Sequence, residues 1–319
     1  MKIAVIGGAG YIGSHVTREL LDFGNEVFVY DNLSSGLRQN LFEDASFTHG
    51  DILDVQKLND FFDAAKPSGI VHLAALKAAG ESMTHPEKYS VHNITGSLNI
   101  LNAASKHGVK YIVFSSSAAV YGNPKYLPID EKHPTEPENY YGYTKLAIEQ
   151  YLQWYGKLKG IKYAALRYFN AAGYDIKGRI SGLEQNPANL IPIVMETAAG
   201  KRASVSVFGN DYETKDGTGV RDYIHVSDLA IAHRIAFDKL QNSESFVVNL
   251  GVNSGNSVLE VIKTAERISG KKINYQITNR RLGDPAVVLA NPSYAKEFLG
   301  WQAAYSDLNT LLETTWRVY

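Results

Sequence analysis

Tyr141 and Lys145, in the stretch Tyr141-Gly142-Tyr143-Thr144-Lys145, have the types and spacing of a general base. On a helix, side chains four positions apart stand one above the other on the same face. The spacing therefore predicts a phenol and an ammonium side by side. A phenol titrates near ~10 in water, and a neighbouring cation favours its ionised form. Such a pair can take up a proton near neutral pH. By itself a Tyr-x-x-x-Lys spacing also describes the solvated face of any helix, so it needs a dinucleotide fold and a third polar partner. Ser117 is the candidate partner, whereas Ser115 and Ser116 are expected to satisfy backbone groups of a tight loop.

The elements that must position these groups begin with residues 2–6 (KIAVI), a β-branched run that predicts a buried parallel strand. The turn Gly7 to Gly13 follows, and an amphipathic pattern from Ser14 to Phe23 predicts a helix. In this order the glycines have uses: a tight turn, close approach of a pyrophosphate, and close helix–strand packing. The free N–H groups at the helix start then face the phosphates. Glu26 to Tyr30 predicts a second strand ending at Asp31. That carboxylate either accepts the adenosine ribose hydroxyls, favouring NAD over NADP, or caps the turn from Asp31 to Gly36. A third strand runs from Phe47 into Asp51 and Ile52. Asp51 either reaches the adenine amino group or, with Asp54, caps a helix carrying Val55, Leu58, Phe61 and Phe62. Further strands are expected at 70–75, 110–115 and 163–167, and one long helix over 85–107. The alternation is that of a Rossmann-type, doubly wound parallel α/β sheet. Ligands of such sheets bind beyond the carboxyl ends of the strands, where Ser117 falls.

From Asn170 the texture changes. Helical patterns at 188–199, 226–240, 256–269, 292–299 and 308–316 mix with short strands around a polar loop, Gly209 to Gly219. Its Asp211, Glu213 and Asp216 lack the spacing and closing glutamate of a calcium loop, so no metal is expected. The expected organisation is a dinucleotide-binding domain over 1–170, with segments near 210–250 returning to it, and a smaller α/β substrate-binding region over 171–319. A net charge of −1 with both signs interspersed advertises no nucleic-acid surface. The absence of cysteine excludes disulfides, thiolate metal sites and cysteine nucleophiles. With no apolar run of membrane-spanning length and no signal-peptide pattern ahead of the first strand, a cytoplasmic chain is expected.

Taken together, GGAGYIG (7–13), DNLSSG (31–36), GDI (50–52), HLAALKAAGES (72–82), FSSSAAVYG (114–122), YGYTK (141–145), LRYFNAAG (166–173), FGNDYETKDGTGVRDYIHVSDLA (208–230) and RRLGDPA (280–286) resemble the extended short-chain dehydrogenase/reductase family and, within it, the UDP-galactose 4-epimerases. The resemblance covers essentially the whole chain. It implies that Ser117, Tyr141 and Lys145 are catalytic. It implies NAD as cofactor, contacted by Gly7, Gly10, Tyr11, Ile12, Gly13, Asp31, Asn32, Asp51, Ile52, Lys77, Asn93, Tyr141, Lys145 and Tyr168. It implies a UDP-sugar substrate held by Ser117, Asn170, Asn189, Leu190, Phe208, Arg221, Tyr223, Arg281 and Asp284, with Val288 lining the sugar pocket. Guanidinium forks suit the two phosphates, unless Arg221 and Arg281 are spent on Asp222 and Asp284. Asp284 is expected to accept ribose hydroxyls.

The implied reaction interconverts UDP-galactose and UDP-glucose at C4 through a 4-keto sugar, with Lys145 lowering the Tyr141 pKa. The alternatives are a UDP-N-acetylglucosamine or UDP-glucuronate 4-epimerase, a nucleotide-sugar dehydratase, or a non-catalytic NAD- or UDP-sugar-binding protein. Ala118 and Ala119 stand where related dehydratases carry an acidic pair, which argues against elimination. Val288 either leaves room for a 2-acetamido group or packs on Leu289. A homodimer is implied, and Leu98, Leu101, Leu146 and Tyr151 are either its contacts or intramolecular core.

Overall fold

The computed structural model describes residues 1–184, 187–281 and 283–319. In chain order the strands are β1 (Lys2–Ile6), β2 (Glu26–Asp31), β3 (Ser46–His49), β4 (Gly69–His72), β5 (Tyr111–Ser117), β6 (Lys162–Tyr168), β7 (Asn170–Ala172), β8 (Val205–Phe208), β9 (Val220–His225), β10 (Phe246–Leu250), β11 (Gly255–Ser257), β12 (Tyr275–Thr278) and β13 (Val287–Val288). The α-helices are α1 (Tyr11–Asp22), α2 (Val55–Ala65), α3 (Ala79–Thr84), α4 (Pro86–Tyr89), α5 (Gly96–Lys106), α6 (Tyr140–Lys159), α7 (Leu190–Ala198), α8 (Val226–Asn242), α9 (Val258–Ser269) and α10 (Leu308–Trp316). Two compact units result. The first takes Met1–Gly122, Thr135–Arg167 and Ala230–Val248; the second takes Asn123–Pro134, Tyr168–Leu229 and Asn249–Tyr319.

The main sheet has the order β10-β6-β5-β4-β1-β2-β3. From β3 to β5 its neighbours pair in parallel. The chain order reverses between β1 and β4, which opens the crevice in which doubly wound sheets bind ligands. Apolar side chains of β1, β4 and β5 bury against Leu58 and Phe62 of α2, Ile100 and Leu101 of α5, and Ile148 and Leu152 of α6. Leu101 is therefore intramolecular core and not a contact between copies.

Two local differences from the expected elements have physical causes. The fourth strand stops at His72, short of Ala75. The amides of Leu73 and Ala74 both donate to the Ile6 carbonyl, at 2.9 and 3.0 Å, so the ladder spacing ends there. The helix expected over 85–107 is interrupted by a wide π-type turn at Ser90–Thr95. The extra residue of such a turn re-aims side chains, and here Asn93 is fully buried.

In the second unit β9 is the central strand. It pairs antiparallel with β11 and parallel with β13 and β7. A separate parallel pair joins β8 and β12. Ile191, Val194 and Met195 of α7, Val261 and Ile262 of α9, and Leu311 and Leu312 of α10 form the core with Val205 and Val207. Helix α9 starts in a capping box between Ser257 and Glu260. In the polar loop, Asp211 pairs with Arg280 at 2.7 Å, and Asp216 accepts from the Thr218 and Ser257 hydroxyls.

Candidate active site

Helix α6 presents Tyr141, Lys145 and Glu149 at successive four-residue steps, hence on one face. Asn139 caps its start, the side chain accepting the Gly142 amide at 2.9 Å. Gly142 also lets the helix approach the turn after β5 closely, since a Cβ there would lie 2.4 Å from the Ala119 carbonyl oxygen. The approach brings the phenol of Tyr141 to Ser117, whose hydroxyl donates to it and accepts the Ala119 amide at 3.1 Å. Lys145 is buried, and its Nζ donates to the Ser115 carbonyl at 2.7 Å, 5.9 Å from the centroid of the Tyr141 ring. Ser117, Tyr141 and Lys145 thus come together.

The electrostatics correct one expectation. Burial raises the Tyr141 pKa above that of an ordinary phenol, and the hydroxyl of Ser117, not Lys145, is the group that lowers it. Lys145 is itself driven down to about 7 by burial, against the opposing pull of the Glu149 carboxylate. Ser116 also departs from its expected backbone role: its hydroxyl donates to Glu149.

On the dinucleotide side, Gly13 could carry no side chain, because a Cβ would stand 2.0 Å from the Gly7 carbonyl oxygen. Helix α1 starts inside the turn at Tyr11 and not at Ser14. Its N-cap Gly10 offers no side-chain cap, and no acidic residue stands in its first turn. The amides of Ile12 and Gly13 thereby face the turn at the helix start, where an anion is favoured. Asp31 is buried at the end of β2 and accepts Ala9 N at 3.0 Å and Leu33 N at 2.8 Å. It serves the turn as the capping alternative requires, and each oxygen keeps a lone pair for a hydroxyl. Asn32 donates to Asp51 at 2.8 Å, and Asp51 also accepts Leu53 N, so Asp54 alone caps α2. Ile52 is buried. The uncapped helix start, the glycine turn and the Asp31 carboxylate fit NAD. Lys77 is exposed after β4, and Tyr168 is buried at the end of β6. Asn93, expected among the cofactor contacts, is buried beside that loop. Its amide accepts Leu76 N at 2.8 Å and donates to Leu76 O at 3.0 Å and Thr144 Oγ1 at 3.1 Å. It shapes the loop that carries Lys77.

The second unit holds its own pocket, about 380 Å³ in volume. Asn170, Asn189, Leu190, Phe208, Arg221, Tyr223, Arg281 and Asp284 line it. Strand alternation explains the arrangement: Arg221 and Tyr223 of β9 both line the pocket, whereas Asp222 points to the opposite face. Asp222 accordingly accepts Val252 N, Asn253 N and Ala290 N and is not the partner of Arg221. That partner is Asp284, at 2.5 Å. The Arg281 guanidinium stacks on Phe208, 3.8 Å from the ring centroid. Ser117 and Val288 do not line this pocket; Val288 is half-buried in β13, in register with Arg221. Arg202 and Ser206 line it as well, unforeseen from sequence because nothing in their local pattern marks them. Glu149 was also unforeseen, although its place four residues after Lys145 was a usable signal.

Known proteins resemble this chain along nearly its whole length. Residues 3–251 match the model of the NAD dependent epimerase/dehydratase family. The UDP-glucose 4-epimerase of Lacticaseibacillus casei is 44% identical over 317 residues, 99% of this chain and 96% of that protein. The crystal structure of UDP-glucose 4-epimerase from Brucella ovis in complex with NAD superposes with a TM-score of 0.95 at 41% identity, covering 98% of this chain and 96% of that one. The Bifidobacterium longum enzyme in complex with NAD+ and UDP gives a TM-score of 0.94 at 39% identity, covering 100% and 98%. The chain belongs to the NAD dependent epimerase/dehydratase family.

Proposed function

We propose that this chain is an NAD-dependent 4-epimerase that interconverts UDP-galactose and UDP-glucose. The observation that carries the reading is the Ser117–Tyr141–Lys145 set, with Lys145 buried, on a chain whose relatives, at this identity over full length, are UDP-glucose 4-epimerases. Ionised Tyr141 takes the proton of the sugar 4-hydroxyl and later returns it. Ser117 orients the reacting oxygen. NAD, when bound, would supply a reversible hydride acceptor for C4, and the reaction would show no net redox change. Gly7, Gly10, Tyr11, Ile12 and Gly13 hold its pyrophosphate, Asp31 its adenosine ribose, and Lys145 its nicotinamide ribose. Asn32, Asp51, Ile52, Lys77, Asn93 and Tyr168 complete that site. Arg221 and Arg281 take the diphosphate of the UDP-sugar, with Asn170, Asn189, Leu190, Phe208, Tyr223 and Asp284 around the rest of the nucleotide.

The reading is tested by incubating the purified protein with UDP-galactose and no added NAD. UDP-glucose is the expected product; its absence, with NAD added as well, overturns the assignment. The small side chain of Val288 supports turnover of the N-acetylhexosamine pair, which a comparison of UDP-galactose with UDP-N-acetylgalactosamine decides. Assembly as a homodimer belongs to the same proposal, supported by Tyr143, Trp154 and Leu158 standing exposed along one face of α6. So does a cytoplasmic location, with which a chain free of cysteine is compatible.

A further inference from the structure

Behind the triad lies a buried ion pair that the proposed chemistry leaves unused. Glu149 and Arg167 are 2% and 7% exposed. Arg167 forks onto the carboxylate, Nε to Oε1 at 2.9 Å and Nη2 to Oε2 at 2.5 Å, and its Nη1 donates to the Tyr121 hydroxyl at 3.0 Å. The Ser116 hydroxyl also donates to Oε1. Ser116 lies between the residue whose carbonyl receives Lys145 and the residue whose hydroxyl serves Tyr141. We propose that Glu149 is a positioning residue of this site: its carboxylate anchors the Ser115–Ser117 strand end through Ser116 and sets a negative charge one helical turn from the Lys145 ammonium.

The charge inventory supports this role. Lys145 is packed by the rings of Phe114 and Tyr141, by the Ser115 carbonyl, and by Glu149 one turn further along its own helix. His72 of β4 also faces it, held neutral by burial and by Lys145. Glu149 is the carboxylate that pulls the Lys145 pKa up, against the burial that lowers it. Arg167 cannot shed its proton. Removing the charge of Glu149 therefore leaves a permanent cation and an ammonium buried together, and the ammonium is the one that gives way.

The proposal rests on the Tyr141–Lys145 reading, and the experiment separates the two. The pH profile of kcat is measured for wild type, Glu149→Gln, Glu149→Asp and Tyr141→Phe, with the NAD content of each preparation as the control for folding. The alkaline limb, where Lys145 loses its proton, is expected to move down by about one pH unit in Glu149→Gln. It is expected to stay in place in Glu149→Asp, which keeps the charge and loses reach to Ser116, while kcat falls. A merely structural role lowers kcat in both with an unmoved limb, and that result overturns the proposal. If Glu149→Gln does not fold, Glu149→Gln combined with Arg167→Met removes both buried charges and is expected to move the limb down by less, because the opposing cation leaves with the carboxylate. An unmoved limb there overturns the proposal equally. Activity in Tyr141→Phe would instead remove the base reading itself.

Discussion

Tyr141 and Lys145 are each pushed by burial toward the neutral form, the phenol upward and the ammonium down to about 7. A base of this kind works only if something restores the charges. For Tyr141 that group is Ser117, the neighbour that lowers its pKa. A phenol acts as base only when ionised, so activity rises as pH climbs through its pKa. Removing the donor raises that pKa further. Ser117→Ala is therefore expected to shift the acid limb of kcat to higher pH and to reduce kcat by roughly 10- to 100-fold. Steady-state rates across pH, with substrate saturating, check both effects. An unmoved acid limb would reduce Ser117 to a backbone cap for Ala119.

At the scale of the element, β9 shows how one strand serves two faces. Its pocket face carries Arg221 and Tyr223, and its other face carries Asp222, which gathers three backbone amides from two loops and so fixes what flanks the pocket. An asparagine keeps one acceptor oxygen and turns an amide toward amides. Asp222→Asn is expected to cost about 1–3 kcal/mol of unfolding free energy, since buried donors are left unsatisfied. The pH dependence has a definite sign. Burial raises this carboxyl from the ordinary 3.8 to about 6, so the folded state binds its proton more tightly than the unfolded state does. The contribution of Asp222 to stability therefore rises as pH falls from 7 through 6 and levels off below about 4. Denaturant unfolding at pH 7 and pH 5 should show the gap between wild type and Asp222→Asn widening at the lower pH. A gap that narrows contradicts the raised pKa.

At the scale of the whole molecule, Trp154 and Leu158 are 58% and 69% exposed on α6. Large apolar side chains standing together at a surface mark an interaction face. If that face joins two copies, as proposed, Trp154→Glu with Leu158→Glu places charges in a dry contact and yields monomers in analytical ultracentrifugation. Neither position touches the triad, so the monomer is expected to retain its NAD. Wild type sedimenting as a monomer at micromolar concentration refutes the dimer directly. Among the described residues no helix is long and apolar enough to cross a membrane.

The sequence by itself determined what depends on local spacing. The glycine turn between β1 and α1, the Tyr141–Lys145 pair on one helix face and Ser117 at a strand end could be read because periodicity and backbone sterics act over a few residues. So could the capping by Asp54 and most helices of the second half. The tertiary structure decided what depends on neighbours far along the chain. It turned Asn93 inward, buried Leu101, gave Arg221 to Asp284 and not to Asp222, and placed Arg202 and Ser206 on the pocket. It also reversed the expected effect on the Tyr141 pKa. Desolvation is the sum of everything packed around a group, and no run of adjacent residues encodes that sum.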